Sequence, residues 1–159
     1  MVPRRMTEPS PDLTRNRRVM EEFRANGGSV RMATVAGDGV PADALEGLPE
    51  PTLLILHTVG ARTGRRRESP LAYQPIGRDF AVFGSNGARA AHPAWYRNLL
   101  ANPEAEVEIG DVTIPVRARV AQGAERARIW AKQKEMHPAF AAYEVRLQRE
   151  LPVVILERA

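Results

Sequence analysis

The chain has 159 residues, 43% of them hydrophobic and 26% charged, with a formal net charge of +4 and no cysteine. That size suits one domain with its own core. The missing thiols exclude disulfides, thiolate nucleophiles and cysteine-bound metals, and no apolar run approaches the roughly 20 residues that span a bilayer.

In chain order, residues 1–13 carry Pro3, Pro9 and Pro11 among polar residues and read as a flexible basic arm; 14–159 read as a single domain. No apolar h-region follows the start, so no secretory signal is expected and the cytoplasm is the expected location. A helix capped by Asp12 or Thr14 runs to about Ala25. Val19, Met20 and Phe23 share one of its faces, and Gly27 and Gly28 stop it. The segment 35–51 is rich in Gly and Pro and reads as a loop.

From Thr52 the pattern is β. Thr52–Val59 is a continuous apolar run, as in a strand covered on both sides. Gly60–Gly64 is a turn. Glu68–Ile76 and Asp79–Ser85 flank Gly77 and Arg78 as a hairpin. Pro93–Ala101 is a short helix with Pro at its start. Glu104–Ile109 puts Val107 and Ile109 on one face, with Glu106 and Glu108 keeping the other wet. After a turn at Gly110 and Asp111, Val112–Val120 alternates with Val112, Ile114, Val116, Ala118 and Val120 inward. Helices over 124–135 and 139–149 and a strand over Val153–Leu156 complete the chain. Meandering strands with short turns predict an antiparallel sheet, and six strands in so short a chain predict a small closed barrel. The fold class is therefore mainly β with flanking helices.

Basic charge is lopsided, with 21 Arg against Lys132 and Lys134. Four Arg (Arg62, Arg65, Arg66 and Arg67) fall within six residues at the first inter-strand turn. Guanidinium forks with the N–H groups of a Gly-containing turn make an oxyanion site; the same residues also suit a solvated hairpin tip. Phe83-Gly84-Ser85-Asn86-Gly87 ends a strand in small residues, which fits either an ordinary turn or the close approach of a flat ligand. Trp95 and Leu99 lie four apart and pack a core, leaving Tyr96, Arg97 and Asn98 toward solvent or a cleft. His137, Phe140 and Tyr143 share a helical face, as a lid or as core packing. His57, His92 and His137 are isolated, with no metal-ligand pairing, so no metal is expected.

These residues resemble the deazaflavin-dependent nitroreductase family of actinobacteria over about residues 22–158. Five motifs carry the resemblance: Phe23–Gly28; Leu53–Gly64; Arg67 with Pro70-Leu71; Ser85-Asn86-Gly87 with Pro93–Leu99 and Ala101-Asn102-Pro103; and Arg149–Val154. The resemblance implies an antiparallel split β-barrel of the FMN-binding-like type and coenzyme F420, an 8-hydroxy-5-deazaflavin with an anionic phosphate and polyglutamate tail; FMN is the weaker alternative. It implies that Arg62, Thr63 and Arg67, with Arg65 and Arg66 added by position, hold the tail. Ser69, Pro70, Leu71 and Ala72, then Phe83, Gly84, Ser85 and Asn86, then Ala94, Trp95, Tyr96, Arg97 and Asn98 line the ring, with Phe140 nearby. The acceptor lies near His137, Phe140 and Tyr143. Ser85 and Tyr143 are the candidate catalytic residues, hydrogen-bonding the oxygen that gains charge. Where relatives carry tyrosines, only Tyr143 is kept here.

The expected activity is hydride transfer from the reduced deazaflavin to a quinone, an activated alkene or a nitro compound. The alternative is a non-catalytic split-barrel module that holds a flavin, haem or lipid. Nucleic acid is not expected as a partner, since no recognition motif accompanies the charge. The oligomeric state is not read. Arg4, Arg5, Arg15, Arg17 and Arg18 beside Val19, Met20 and Phe23 suit the inner face of the cell membrane; the same helix equally suits capping one opening of the barrel.

Overall fold

The computed structural model describes residues 11–159 apart from Gly39, Pro49, Gly87 and Ala88; the side chains of Pro11 and Asp12 are likewise outside it. Most of the expected basic arm lies outside the described residues.

Six strands form a closed barrel: β1 (Leu53–Val59), β2 (Arg66–Ile76), β3 (Asp79–Phe83), β4 (Glu104–Ile109), β5 (Val112–Val120) and β6 (Val153–Arg158). Their order is β1-β2-β3-β6-β5-β4, every pairing antiparallel, and β4 returns to β1 through Ile55↔Glu108, Leu56↔Val107 and His57↔Glu106. Closure removes the unpaired edges that an open sheet of this size would expose. The helices are α1 (Pro11–Ala25), α2 (Met32–Ala36), α3 (Ala94–Ala101), α4 (Gly123–Met136) and α5 (Ala139–Arg146).

Strand alternation sorts the apolar residues into three clusters. Leu54, Leu56, Phe80, Val82, Val107, Val116, Val154 and Leu156 fill the barrel, joined by Trp95 and Leu99 of α3. On the outside, Ala81, Phe83, Val153 and Ile155 pack under Ile129 and Trp130 of α4. Ile55 faces outward under Val19 and Phe23 of α1. β1, β3 and β6 are thus covered on both sides, which is why Thr52–Val59 reads as a continuous apolar run. Burying a side chain such as Phe23 is worth about 2–3 kcal/mol, so α1 is held on the barrel wall by the apolar face that would otherwise be free to meet a membrane. Among the described residues, no helix is long and apolar enough to cross a bilayer.

Several boundaries differ from expectation. α1 begins at Pro11, a residue whose missing N–H costs nothing in a first turn, so Thr14 lies inside the helix and is not its cap. The segment 35–51 is not wholly loop. α2 reaches into it because Val35 packs on the cluster around Ile55, and Ala42–Leu45 form a 3-10 turn. β2 starts two residues early because the pairing extends to Val59↔Arg66. α5 ends at Arg146, three residues short. Gly28 closes α1 at φ +98°, where a Cβ would lie 2.9 Å from the Gly110 Cα; only glycine permits that approach.

The largest correction concerns Glu108. It does not simply wet its face of β4. Arg24 donates to it through Nε and Nη2 at 3.2 and 2.7 Å, and His57 Nε2 lies 2.7 Å from it. Arg24 also pairs with Glu68 at 3.1 Å. The network staples α1 to β1, β2 and β4. Hydrogen bonds from Arg24 hold the Glu108 carboxyl below the ordinary carboxylate value, aided by His57 and opposed by burial. A lowered folded-state value gives stability that is present above the unfolded value and lost as pH falls through the folded one. Chemical denaturation should therefore show stability falling below about pH 4.5. Glu108→Gln should cost about 2 kcal/mol at neutral pH and flatten that acid slope.

Candidate functional site

The turn between β1 and β2 is built by its glycines and Thr63. Gly60 N–H donates to Arg65 O at 2.7 Å, Gly64 N–H to Gly60 O at 2.9 Å, and Arg65 N–H to Thr63 Oγ1 at 3.2 Å. A Cβ at Gly60 would lie 2.7 Å from Thr63 Oγ1, so the turn closes around a residue without one. Arg62, Thr63, Arg65, Arg66 and Arg67 are all exposed.

Register then separates neighbouring arginines. Arg66 lies opposite Val59 and Arg67 opposite Thr58, so they project to opposite faces. Arg66 is drawn to the α1 side, where its Nε donates to His57 Nδ1 at 3.0 Å and its Nη2 lies 3.5 Å from Glu106. A guanidinium cannot accept, so His57 Nδ1 is the acceptor and Nε2–H faces Glu108. His57, Glu68 and Glu108 each bring a ligand-type atom within 4.8 Å of the others, but Arg24 and Arg66 already engage those atoms. Arg62, Arg65 and Arg67 have no acidic partner among the described residues. By contrast Arg18, Arg24, Arg31, Arg117, Arg119 and Arg126 each pair with Asp or Glu. A cleft of about 740 Å³ borders the turn at Gly64 and Arg66, yet Arg66 with Glu106 and Arg117 with Glu104 balance across it.

Asn98 of α3 locks this turn to the core. It is 6% exposed, accepts the Ala61 N–H at 3.0 Å and donates through Nδ2 to Thr58 Oγ1 at 3.0 Å. Its neighbours divide. Trp95 is buried in the barrel core, Tyr96 is half-buried, and Ala94 and Arg97 are exposed. Trp95 therefore has only its backbone to offer a ligand.

At the end of β3, Gly84 sits against Pro152, and an added Cβ would lie 2.5 Å from its Cγ. Gly84 N–H donates to Pro152 O at 2.9 Å. Ser85 and Asn86 follow, half-buried, with Asn86 at φ +48° and its Nδ2 donating to Ala91 O at 2.9 Å. Gly87 lies outside the described residues. On β2, Ser69 and Leu71 pair with Leu56 and Leu54 and share their face, while Pro70 and Ala72 pair with Ile55 and Leu53 on the other. The expected ring-lining strand thus offers alternate residues to two faces.

The aromatic segment closes on Phe83. Phe140 of α5 stands 5.6 Å from Phe83, 6.0 Å from Trp130, 6.3 Å from His137 and 5.4 Å from Tyr143, centroid to centroid. Glu144 ties α5 to α4 by accepting from Trp130 Nε1 and from Lys134. Phe140 is both part of the outer cluster and the link from the Phe83 corner to His137 and Tyr143. Two side chains at the corner were not singled out as site residues from sequence: Arg149 and His92, which lie 3.1 Å apart beside Gly84 and Ser85. Arg149 is 65 positions from Gly84, and no local pattern could have joined them.

A family model described as F420H(2)-dependent quinone reductase matches residues 29–158. An F420H(2)-dependent quinone reductase of Mycobacterium tuberculosis is 35% identical over 111 residues, 68% of this chain and 74% of that protein. A solved F420-H2 dependent reductase (FDR-A) is 35% identical and superposes with a TM-score of 0.61, covering 66% of this chain and 93% of the other. A solved structure described as a domain-swapped dimer is 28% identical, with a TM-score of 0.63, covering 93% of this chain and all of that one.

Asn98→Ala should leave the Ala61 N–H without its partner and cost about 2 kcal/mol, read as a fall in melting temperature. Amide exchange at Ala61–Gly64 should rise more than exchange in β5.

Proposed function

Because this chain belongs to the F420H(2)-dependent quinone reductase family, we propose that it binds reduced coenzyme F420 across the basic turn and the Gly84–Asn86 corner and reduces a quinone. The observation that carries this reading is the set of guanidiniums left without acids. Like charges gathered at Arg62, Arg65 and Arg67 repel one another, and an anionic ligand relieves that repulsion. Arg78 and Arg146 are likewise exposed and without an acidic partner among the described residues, but neither lies in a run of arginines.

The residues suit the cofactor on chemistry as well as charge. Planar forks grip phosphate and carboxylate, and the Arg62 and Thr63 N–H groups have no acceptor among the described residues, which favours the tail at Arg62, Thr63, Arg65 and Arg67. Arg66 is held by His57 and Glu106, so we give it a supporting role on the opposite face. A corner of Gly84, Ser85 and Asn86 lets a flat ring approach backbone groups. When bound, the deazaflavin supplies the hydride.

The chain's own residues bind, orient and exclude water. Phe83 and Phe140 form an apolar wall beside the corner. Ser85 and Tyr143 are the hydrogen-bonding groups we assign to the acceptor oxygen, with His137 and Phe140 shaping its site. The acceptor is a quinone, with activated alkenes and nitro compounds as the wider class. α1 spends its apolar face on Ile55, so any membrane contact would rest on its exposed charges alone.

Fluorescence titration with F420 tests the assignment. Arg62→Ala with Arg67→Ala should weaken binding by about tenfold or more, while folding stability moves by less than about 0.5 kcal/mol, as for other exposed sites. Raising the salt concentration should weaken wild-type binding more than it weakens the variant. Unchanged affinity in the double variant would remove the turn from the site.

A further inference from the structure

Arg149 makes a set of contacts in which a guanidinium meets only neutral partners among the described residues. Its Nη1 donates to Gly84 O at 3.0 Å, its Nη2 to Ser85 O at 3.2 Å and its Nε to Arg89 O at 3.3 Å. Nη1 also lies 3.1 Å from His92 Nδ1 and 3.5 Å from Glu150 O. Every partner is neutral. One cation is spent wholly on backbone carbonyls and an imidazole, at the corner where a ligand is expected.

The peptide geometry gives this consequence. No peptide bond in the described chain is cis, and in a trans peptide the C=O and the following N–H point in opposite directions. Carbonyls of Gly84 and Ser85 turned toward Arg149 therefore turn the N–H groups of Ser85 and Asn86 away from it. Among the described residues, neither N–H has a hydrogen-bond partner. A guanidinium on the carbonyl also polarises the peptide and strengthens its N–H as a donor. His92 is fixed in the same act. Its Nδ1 must accept, so Nε2 carries the hydrogen, and its ring stands 4.9 Å from that of Tyr96.

We propose that Arg149 is a positioning residue for the cofactor site: it turns the Ser85 and Asn86 N–H groups outward as a donor pair and holds His92 as its Nε2–H tautomer against α3. The inference rests on the F420 reading for the identity of the ligand. The charged and titratable groups facing His92 are Arg149 and, from α3, Arg97 and Tyr96. Burial, then Arg149 and Arg97, keep its imidazole below the ordinary histidine value, so the neutral ring needed by this arrangement persists below neutral pH.

The test uses the ligand-free protein first. NMR titration of His92 and the backbone amide chemical shifts of Ser85 and Asn86 are compared in wild type, Arg149→Gln and Arg149→Lys. In Arg149→Gln the His92 value should move up toward 6.5, and both amide proton resonances should shift upfield as their peptides lose the polarising guanidinium. Arg149→Lys keeps the charge but cannot reach both carbonyls in a fork, so it should keep the wild-type His92 value and not the wild-type amide shifts. F420 titration should then show both variants weakened by about tenfold, the scale at which supporting residues act. A fall in melting temperature with His92, both amides and F420 affinity unmoved would make Arg149 purely structural and overturn the proposal. Wild-type protein that fails to bind F420 would instead overturn the ligand, and the ligand-free readouts would still decide the role of Arg149.

Discussion

Two hydrogen bonds made by one buried amide join the core of this protein to its basic turn. Asn98 reaches Thr58 at the end of β1 and the Ala61 N–H inside the basic turn. The turn's own hydrogen bonds shape it, and Asn98 is the side chain that ties that shape to the core, because a Gly-containing loop of this length has no core of its own. Asn98 is in turn held by its neighbours Trp95 and Leu99, which are packed among Leu54, Leu56 and Val107. Apolar burial inside the barrel is thus transmitted, through α3, to where three guanidiniums stand in solvent.

Charge is distributed by the same architecture. On the α1 side of β1, Arg24 and Arg66 converge on Glu108, Glu68, Glu106 and His57, and little net charge remains to attract a ligand. On the turn, Arg62, Arg65 and Arg67 have no such acids. Strand alternation is the cause: one step along β2 moves an arginine from a face with carboxylates to a face without them. The abundance of arginine alone therefore does not say where positive charge is left uncompensated; its pairing does.

The Phe83 end of the barrel follows a different logic. Here the chain uses backbone, not side-chain charge. Gly84 fits under Pro152, Asn86 adopts a left-handed conformation that asparagine tolerates, and Arg149 gathers the carbonyls between them. α5 is attached through Phe140 and the Glu144 link to Trp130 and Lys134, which leaves the His137–Tyr143 segment bound mainly to α4 and to this corner.

Much of this was legible in one dimension. The continuous apolar run at β1, clean alternation at β5 and the glycine turns between strands determined that the chain would make a small antiparallel barrel, since those patterns depend only on which neighbours alternate along a strand. The arginine-rich turn and the motifs from Ser85 to Pro103 were equally local. What only the folded chain decided were relations between residues far apart in sequence. Glu108 looked like a wet surface carboxylate until β4 closed against β1 beside Arg24. Arg66 and Arg67 looked equivalent until the pairing with Val59 and Thr58 set them on opposite faces. Arg149 and His92 had no assigned part in the site until β6 brought the last loop against Gly84. Burial periodicity is written residue by residue, but a hydrogen bond or ion pair needs two groups at one place, and in this chain barrel closure is what brings them there.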